Sequence, residues 1–195
     1  MTYRVLFYMP KNPEDARKKL QYAAMKLFAE NGYDATTTAQ IAALAGVTER
    51  TFFRHFPDKR EVLFLGQEVL TAALGKAIVA ASPELSPLEV MQQAFFSVAG
   101  LIESNRPYSE PRRKIIAQTP ALQEREMTKH LVMIKQLSVA LNQRGVSTSD
   151  ADFVAQIGFV IFGHALAGWF ADVSLSLKDY ISQAFDEFRF LSERR

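Results

Sequence analysis

The chain has 195 residues, 48% of them hydrophobic and 23% charged, enough to bury a sizeable core in one domain or in a small one plus a larger one. It contains no cysteine, which excludes a disulfide framework and a thiolate metal site and fits a reducing compartment. The formal charge of +2 is too small to diagnose a nucleic-acid partner, but residues 1–62 hold 10 Lys/Arg against 7 Asp/Glu (+3) and the other 133 hold 13 against 14 (−1).

The opening MTYRVLFYMP has an apolar run too short for a signal peptide, and no small-residue cleavage site follows. A cytoplasmic location is therefore expected. Met9 is an alternative start, and residues 1–13 read as a flexible extension. Pro13 and Glu14 then open a helix predicted over 14–31. Leu20, Ala23, Ala24, Leu27 and Phe28 recur at three and four and form one apolar stripe. Asn31-Gly32 ends it, and Tyr33 and Ala35 are expected to pack between it and the next helix.

Thr36, Thr37 and Thr38 are candidate N-caps for a short helix carrying Ile41, Ala42, Leu44 and Ala45. Gly46 stops that helix, since glycine alone enters the left-handed region cheaply. Thr48 can cap a second short helix, Glu49 to Phe56, which Pro57 ends. Helix, glycine turn, helix is the layout of a helix-turn-helix reader of DNA. The second helix is rich in groups that reach bases or phosphates: Glu49, Arg50, Thr51, Arg54 and His55. Phe52 and Phe56 are assigned to the core.

Asp58 and Glu61 match a capping box for a longer helix predicted over 58–81, with Lys59 in its first turn. The rest of the chain reads as all helix. Ser86-Pro87-Leu88-Glu89 opens a helix to about 104, which Asn105-Arg106-Pro107 ends. A shorter helix follows from Arg112-Arg113-Lys114 to 118, its basic run read as a solvated face. Thr119-Pro120 starts another, which Gly145 ends. Ser149 and Asp152 are the predicted caps of a helix over 149–171, and the last helix spans 177–192. Residues 153–170 carry no charge, a length at the lower limit for a membrane span. Gln156, His164, three glycines and the lack of a basic flank argue against a span and for a helix buried between neighbours.

Residues 14–65 resemble the DNA-binding domain of the TetR family of transcriptional regulators. The matching signatures are Leu27-Phe28, Asn31-Gly32-Tyr33, Thr36-Thr37, Ile41-Ala42, Ala45-Gly46-Val47 and Phe53-Arg54-His55-Phe56-Pro57-Asp58-Lys59. The resemblance implies an all-α fold: an N-terminal three-helix bundle with a helix-turn-helix (residues 14–62), followed by a larger helical ligand-binding and dimerisation domain (63–195). It implies a homodimer joined through the helices at about 149–171 and 177–192, bound to a double-stranded DNA operator.

Carried over by position, Thr37, Thr38, Glu49, Arg50, Thr51, Phe53, Arg54, His55 and Lys59 lie where such proteins meet DNA. Arg50 suits a guanine edge, Glu49 cytosine N4, and the Thr51 methyl a thymine methyl. Thr37, His55 and Lys59 suit phosphates, which fix register. Bland readings stand beside these: Thr37 and Thr48 as caps only, Glu49 paired with a cation. Two positions depart from the family, which often has tyrosine where Phe53 stands and a basic residue where Ala39 stands. Phe53 cannot donate to a phosphate, which leaves packing or a base methyl.

The resemblance also implies a small-molecule effector held among the middle helices, acting by a population shift between two states. Candidate lining residues are Met91, Phe95, Phe96, His130, Met133, Phe162, His164 and Trp169, which suggest an apolar or aromatic ligand. For His164, a hydrogen-bonded core histidine is the competing reading. An enzyme is not expected. With three histidines, no cysteine and no glycine-rich phosphate loop, no catalytic constellation, metal site or cofactor stands out. The leading reading is a ligand-responsive repressor. The alternatives are an activator, or a helical small-molecule- or partner-binding protein whose DNA head has lost its role.

Overall fold

The computed structural model describes residues 16–193; the N-terminal extension and the Pro13-Glu14 helix start lie outside them. Among the described residues there are nine α-helices, one 3-10 turn and no strand. They are α1 (Ala16–Asn31), α2 (Thr38–Leu44), α3 (Glu49–His55), the 3-10 turn Arg60–Phe64, α4 (Gln67–Ala80) and α5 (Pro87–Ser104). There follow α6 (Arg106–Ala117), α7 (Pro120–Gln143), α8 (Thr148–Ala171) and α9 (Leu177–Glu193). The all-α expectation holds.

The chain forms two compact units. The first comprises the described residues through Gly66 together with Asn105–Met127, and the second Gln67–Ser104 with the residues from Thr128 onward. This differs from a single division at residue 62, because α6 and the start of α7 return to the first unit. The reason is apolar: Ile115, Ile116 and Leu122 are buried in the same core as Leu20, Met25 and Phe28 of α1, Ile41 of α2 and Phe52 of α3. Each such side chain taken from water contributes roughly 1.5–3 kcal/mol.

Polar ties fix the same corner. Arg112 Nε donates to the Leu63 carbonyl at 2.7 Å, Arg112 Nη2 pairs with Glu126 at 3.2 Å, and the guanidinium lies 4.9 Å from the centre of the Phe64 ring. Arg125 pairs with Glu61. Arg112 is therefore a structural clamp and not part of a solvated basic face.

In the second unit, Leu74 and Ile78 of α4, Met91 and Phe95 of α5, Leu137 of α7, Phe162 of α8 and Phe185 of α9 share one core. The Phe95 and Phe162 rings stack face to face at 4.2 Å. Arg144 closes the C-terminal end of α4, donating to the Ala81 and Ser82 carbonyls at 2.6 and 2.7 Å. A cation there also meets the negative end of the helix dipole.

Four sequence expectations need correction. The helix predicted over 58–81 is broken: Gly66 stands at φ +92°, separating the 3-10 turn from α4. Asp58 still caps, accepting from the Arg60 and Glu61 backbone N–H groups at 2.7 and 3.3 Å, but Glu61 turns to Arg125 instead of back to the cap. The helix expected from Arg112 begins at Arg106, because Pro107 fits the first turn and the helix accommodates Pro111. The N-cap of α8 is Ser147, which accepts from Asp150 N at 3.2 Å. Asp152, expected to cap, accepts instead from Ser138 and from Lys135.

Two stretches, Arg60–Ala80 and Thr148–Ala171, are long and apolar enough to cross a membrane by length and composition alone. The first is interrupted at Gly66. The second carries Asp150 and Asp152 near its start and buries Ala155, Gly158, Phe162 and Trp169 against the core of its unit.

Candidate nucleic-acid interface

The first unit presents α3 with one face in the core and the other in solvent. Phe52 and Phe56 are buried, their rings 5.6 Å apart, and anchor the helix from below. Arg50, Phe53 and Arg54 are exposed on the opposite side. Neither arginine makes an ion pair or hydrogen bond with another described residue. The Phe53 ring stands edge-on to Phe52 at 5.4 Å and is 52% exposed.

Local sequence sets this geometry. Thr37 is the N-cap of α2: its hydroxyl accepts from Gln40 N at 3.2 Å, and Gln40 Oε1 accepts from Thr37 N at 2.8 Å. This reciprocal box is written as Thr-x-x-Gln, a pattern that identifies Gln40 from sequence alone. Gly46 takes φ +72° between α2 and α3, and the Val47 N–H donates back to the Ala42 carbonyl at 3.0 Å. Thr48 caps α3, accepting from Thr51 N at 3.2 Å, with the two hydroxyls 3.0 Å apart. Thr37 and Thr48 therefore both act as caps.

The remaining sequence-named residues divide sharply. The half-buried Thr38 hydroxyl donates to Glu49 Oε1 at 2.5 Å, joining the first residue of α2 to the first of α3. Glu49 thus meets a hydroxyl and not a cation. His55 is half-buried, with Nε2 enclosed and lacking a protein partner. Lys59 does not point outward. Its ammonium donates to the Tyr33 and Thr36 carbonyls at 2.7 and 2.8 Å and lies 4.0 Å from the centre of the Tyr33 ring. Burial pulls its pKa below the ordinary lysine value, against the opposing charge of Asp34. Thr36, fully buried, donates to the Gly32 carbonyl at 2.8 Å and ties the same loop to α1.

Of the residues named for an effector, Met91, Phe95, Met133, Phe162 and Trp169 are buried in the core of the second unit. Phe96 and His130 are half-buried, and the His130 ring lies 5.1 Å from that of Phe159. His164 is neither core nor lining. Its side chain is 71% exposed on α8 and sits 3.5 Å from Glu187 of α9. A separate open groove of about 410 Å³ runs between α4 and α7, lined by Thr71, Gly75, Lys76, Val79, Gln136 and Val139 among others. None of the eight residues named from sequence lines it.

These features define a helix-turn-helix protein whose second helix carries two exposed arginines. The chain belongs to the TetR family: residues 22–64 match the model described as bacterial regulatory proteins of the tetR family, and residues 85–190 match the MftR C-terminal domain. It is a DNA-binding transcriptional regulator and not an enzyme.

The chain is 27% identical to the Mycobacterium tuberculosis regulator MftR, named for mycofactocin biosynthesis, over 84% of each chain. It is 26% identical to the regulator HbdR of Aromatoleum sp., over 89% of this chain and 79% of that one. Among solved structures, the SmeT–triclosan complex superposes with a TM-score of 0.57 at 20% identity, over 89% of this chain and 90% of that one. FadR of Thermus thermophilus in complex with lauroyl-CoA gives 0.55 at 22%, over 87% and 91%. At these identities the solved structures establish the fold.

Proposed function

We propose that the protein is a cytoplasmic homodimeric repressor that holds a palindromic operator and is released by a small apolar or aromatic effector. The observation that carries this reading is α3, seated on Phe52 and Phe56 and offering Arg50 and Arg54 unpaired to solvent. Two free guanidinium groups on a rigid helix suit a guanine edge and a phosphate. In this reading Arg50 reads guanine and the Thr51 methyl meets thymine. Thr37 and Arg54 lie against phosphates, and any phosphate contact by His55 falls to Nδ1. Lys59 braces the head from within.

The first unit is then the DNA head, and the second binds effector and partner subunit. The partner is supported by an exposed apolar face on α8 and α9: Phe153, Val160, Phe190 and Leu191 are all more than half exposed. Covering such a face with a second copy removes apolar area from water and fixes the spacing of two heads. The effector is supported by the shared fold of SmeT, solved with triclosan, and FadR, solved with lauroyl-CoA. The α4–α7 groove is one place in the second unit for it, and the apolar Met91–Phe95–Phe162 cluster, repacked around a ligand, is another.

Selection of bound sites from random DNA tests the reading, since a recovered palindrome reports operator and dimer symmetry together. Arg50→Ala should then weaken operator binding by about 1–3 kcal/mol, concentrated at one base pair per half-site. Binding indifferent to Arg50, Thr51 and sequence would instead support a helical binding protein with a silent head.

A further inference from the structure

The Thr38–Glu49 contact has no role in holding the unit's core, since both groups lie at the surface that α2 and α3 share. Its effect is on a side chain. Glu49 has three rotatable bonds; the Thr38 hydroxyl holds Oε1 at 2.5 Å and leaves Oε2 to accept from another donor. We propose that Thr38 is a positioning residue that fixes Glu49 as a reader of cytosine, so that each half-site carries a cytosine opposite Glu49. The inference rests on the operator-binding function argued above.

The chemistry selects the base. An ionised carboxylate only accepts hydrogen bonds. In the major groove guanine offers two acceptors, N7 and O6, which repel it. Thymine offers an acceptor and a methyl. Adenine offers a donor at N6 beside an acceptor at N7. Cytosine alone offers a donor, N4, with no acceptor on the same base edge. A carboxylate brought towards phosphates also loses affinity unless it meets a donor, so Glu49 rejects wrong bases as well as accepting the right one. Ordering a free glutamate on binding costs side-chain entropy, and the Thr38 hydroxyl has removed part of that cost in advance. Ala39, exposed beside Thr38, puts no cation near enough to draw the carboxylate away.

The test uses the full-length protein and the operator recovered by selection, with all four base pairs placed in turn at each half-site position. Wild type should prefer cytosine about tenfold at one position. Glu49→Gln should convert that preference to adenine, because an amide matches N6 and N7 together. Thr38→Val, which keeps the shape and removes the donor, should lower the cytosine preference about threefold or more. Thr38→Ser should restore it. The proposal is overturned if Glu49→Gln leaves the base profile intact, or if Thr38→Val leaves the cytosine preference at full strength. It is also overturned if Thr38→Val weakens all sequences equally, which would make Thr38 a phosphate contact. Recovery of no preferred sequence at all would remove the repressor reading itself, a distinguishable outcome.

Discussion

The Lys59 ammonium donates to the Tyr33 carbonyl at 2.7 Å across 26 residues of sequence, and a second bond to Thr36 stitches the α1–α2 loop to the end of the helix-turn-helix. A lysine in the first turn after α3 reads naturally as a phosphate anchor. The fold uses it otherwise, because the loop between Tyr33 and Thr36 leaves two carbonyls without helical partners. Lys59→Met should lower the stability of the head by about 1–3 kcal/mol, since two charge-assisted bonds are lost and the Tyr33 carbonyl keeps only the weaker Thr36 N–H at 3.3 Å. Urea unfolding reads this. The salt dependence of operator affinity should keep its slope, whereas loss of a phosphate contact would reduce the slope by about 1.

Helix ends were legible in the sequence, because their causes are local. Gly32, Gly46 and Gly145 all stand at positive φ (83°, 72° and 88°), and Thr37, Thr48 and Ser86 all cap. The core roles of Phe52 and Phe56 followed from helical spacing. What was not legible depends on distant chain. Glu61 meets Arg125 sixty-four residues away, and Arg112 reaches Leu63 across forty-nine. Gly66 hid inside an apolar run whose period matched a continuous helix, and its break shows only in the backbone angle. His164 looked internal because α8 is apolar nearly all round, so periodicity could not say which side faces out. Of the nine DNA-contact candidates, Glu49, Arg50, Thr51, Arg54 and His55 stood out by the chemistry of the second helix, and resemblance added Thr37, Thr38, Phe53 and Lys59. The fold sorted them by partner, separating free Arg50 and Arg54 from engaged Thr37, Thr38, Glu49 and Lys59.

Gly158 of α8 lies against Met91 of α5 so closely that a Cβ would stand 2.9 Å from the Met91 methyl carbon and 3.2 Å from its Cβ. The methyl end can swing away, but the Met91 Cβ is fixed to the backbone of α5. Gly158→Ala should therefore destabilise the second unit by about 1–3 kcal/mol despite its gain in helix propensity. Adding Met91→Ala removes the methyl and Cγ overlaps at 2.9 and 3.3 Å, though not the Cβ contact at 3.2 Å, and should relieve part of the strain while opening a cavity of its own. A double-mutant cycle on thermal unfolding should then show favourable coupling between the two changes, and strict additivity would contradict the contact.

Arg112 satisfies the Leu63 carbonyl and Glu126 at once, with side-chain exposures of 19% and 28% for the two ionic partners. Replacing it with methionine keeps volume but strands a half-buried carboxylate and a carbonyl. The expected loss is about 2–3 kcal/mol in chemical unfolding. Arg112→Lys should recover little of it, because a single ammonium cannot reproduce the fork that spans two acceptors and lies over Phe64. Full recovery by lysine would mean that charge alone matters at this corner.

Tyr108 of α6 ends in a buried hydroxyl without a well-formed hydrogen bond. Burial pushes its pKa up from 10.0 to about 12, against the opposing pull of the Arg112 charge and the Gln21 side chain. The folded protein therefore holds this proton more tightly than the unfolded chain does. The contribution is fully present below pH 10 and is lost as pH rises from 10 towards 12, where the unfolded state ionises and the folded state resists. Two pKa units correspond to roughly 2–3 kcal/mol, an upper figure for the total loss. Unfolding midpoints measured between pH 9 and about 12 should fall less steeply in Tyr108→Phe than in the parent. The same variant should match or exceed the parent's stability at neutral pH, because it removes a buried hydroxyl that lacks a good partner. If the variant follows the parent's alkaline slope, the tyrosine is not the group being titrated, and lysine deprotonation has to account for the loss.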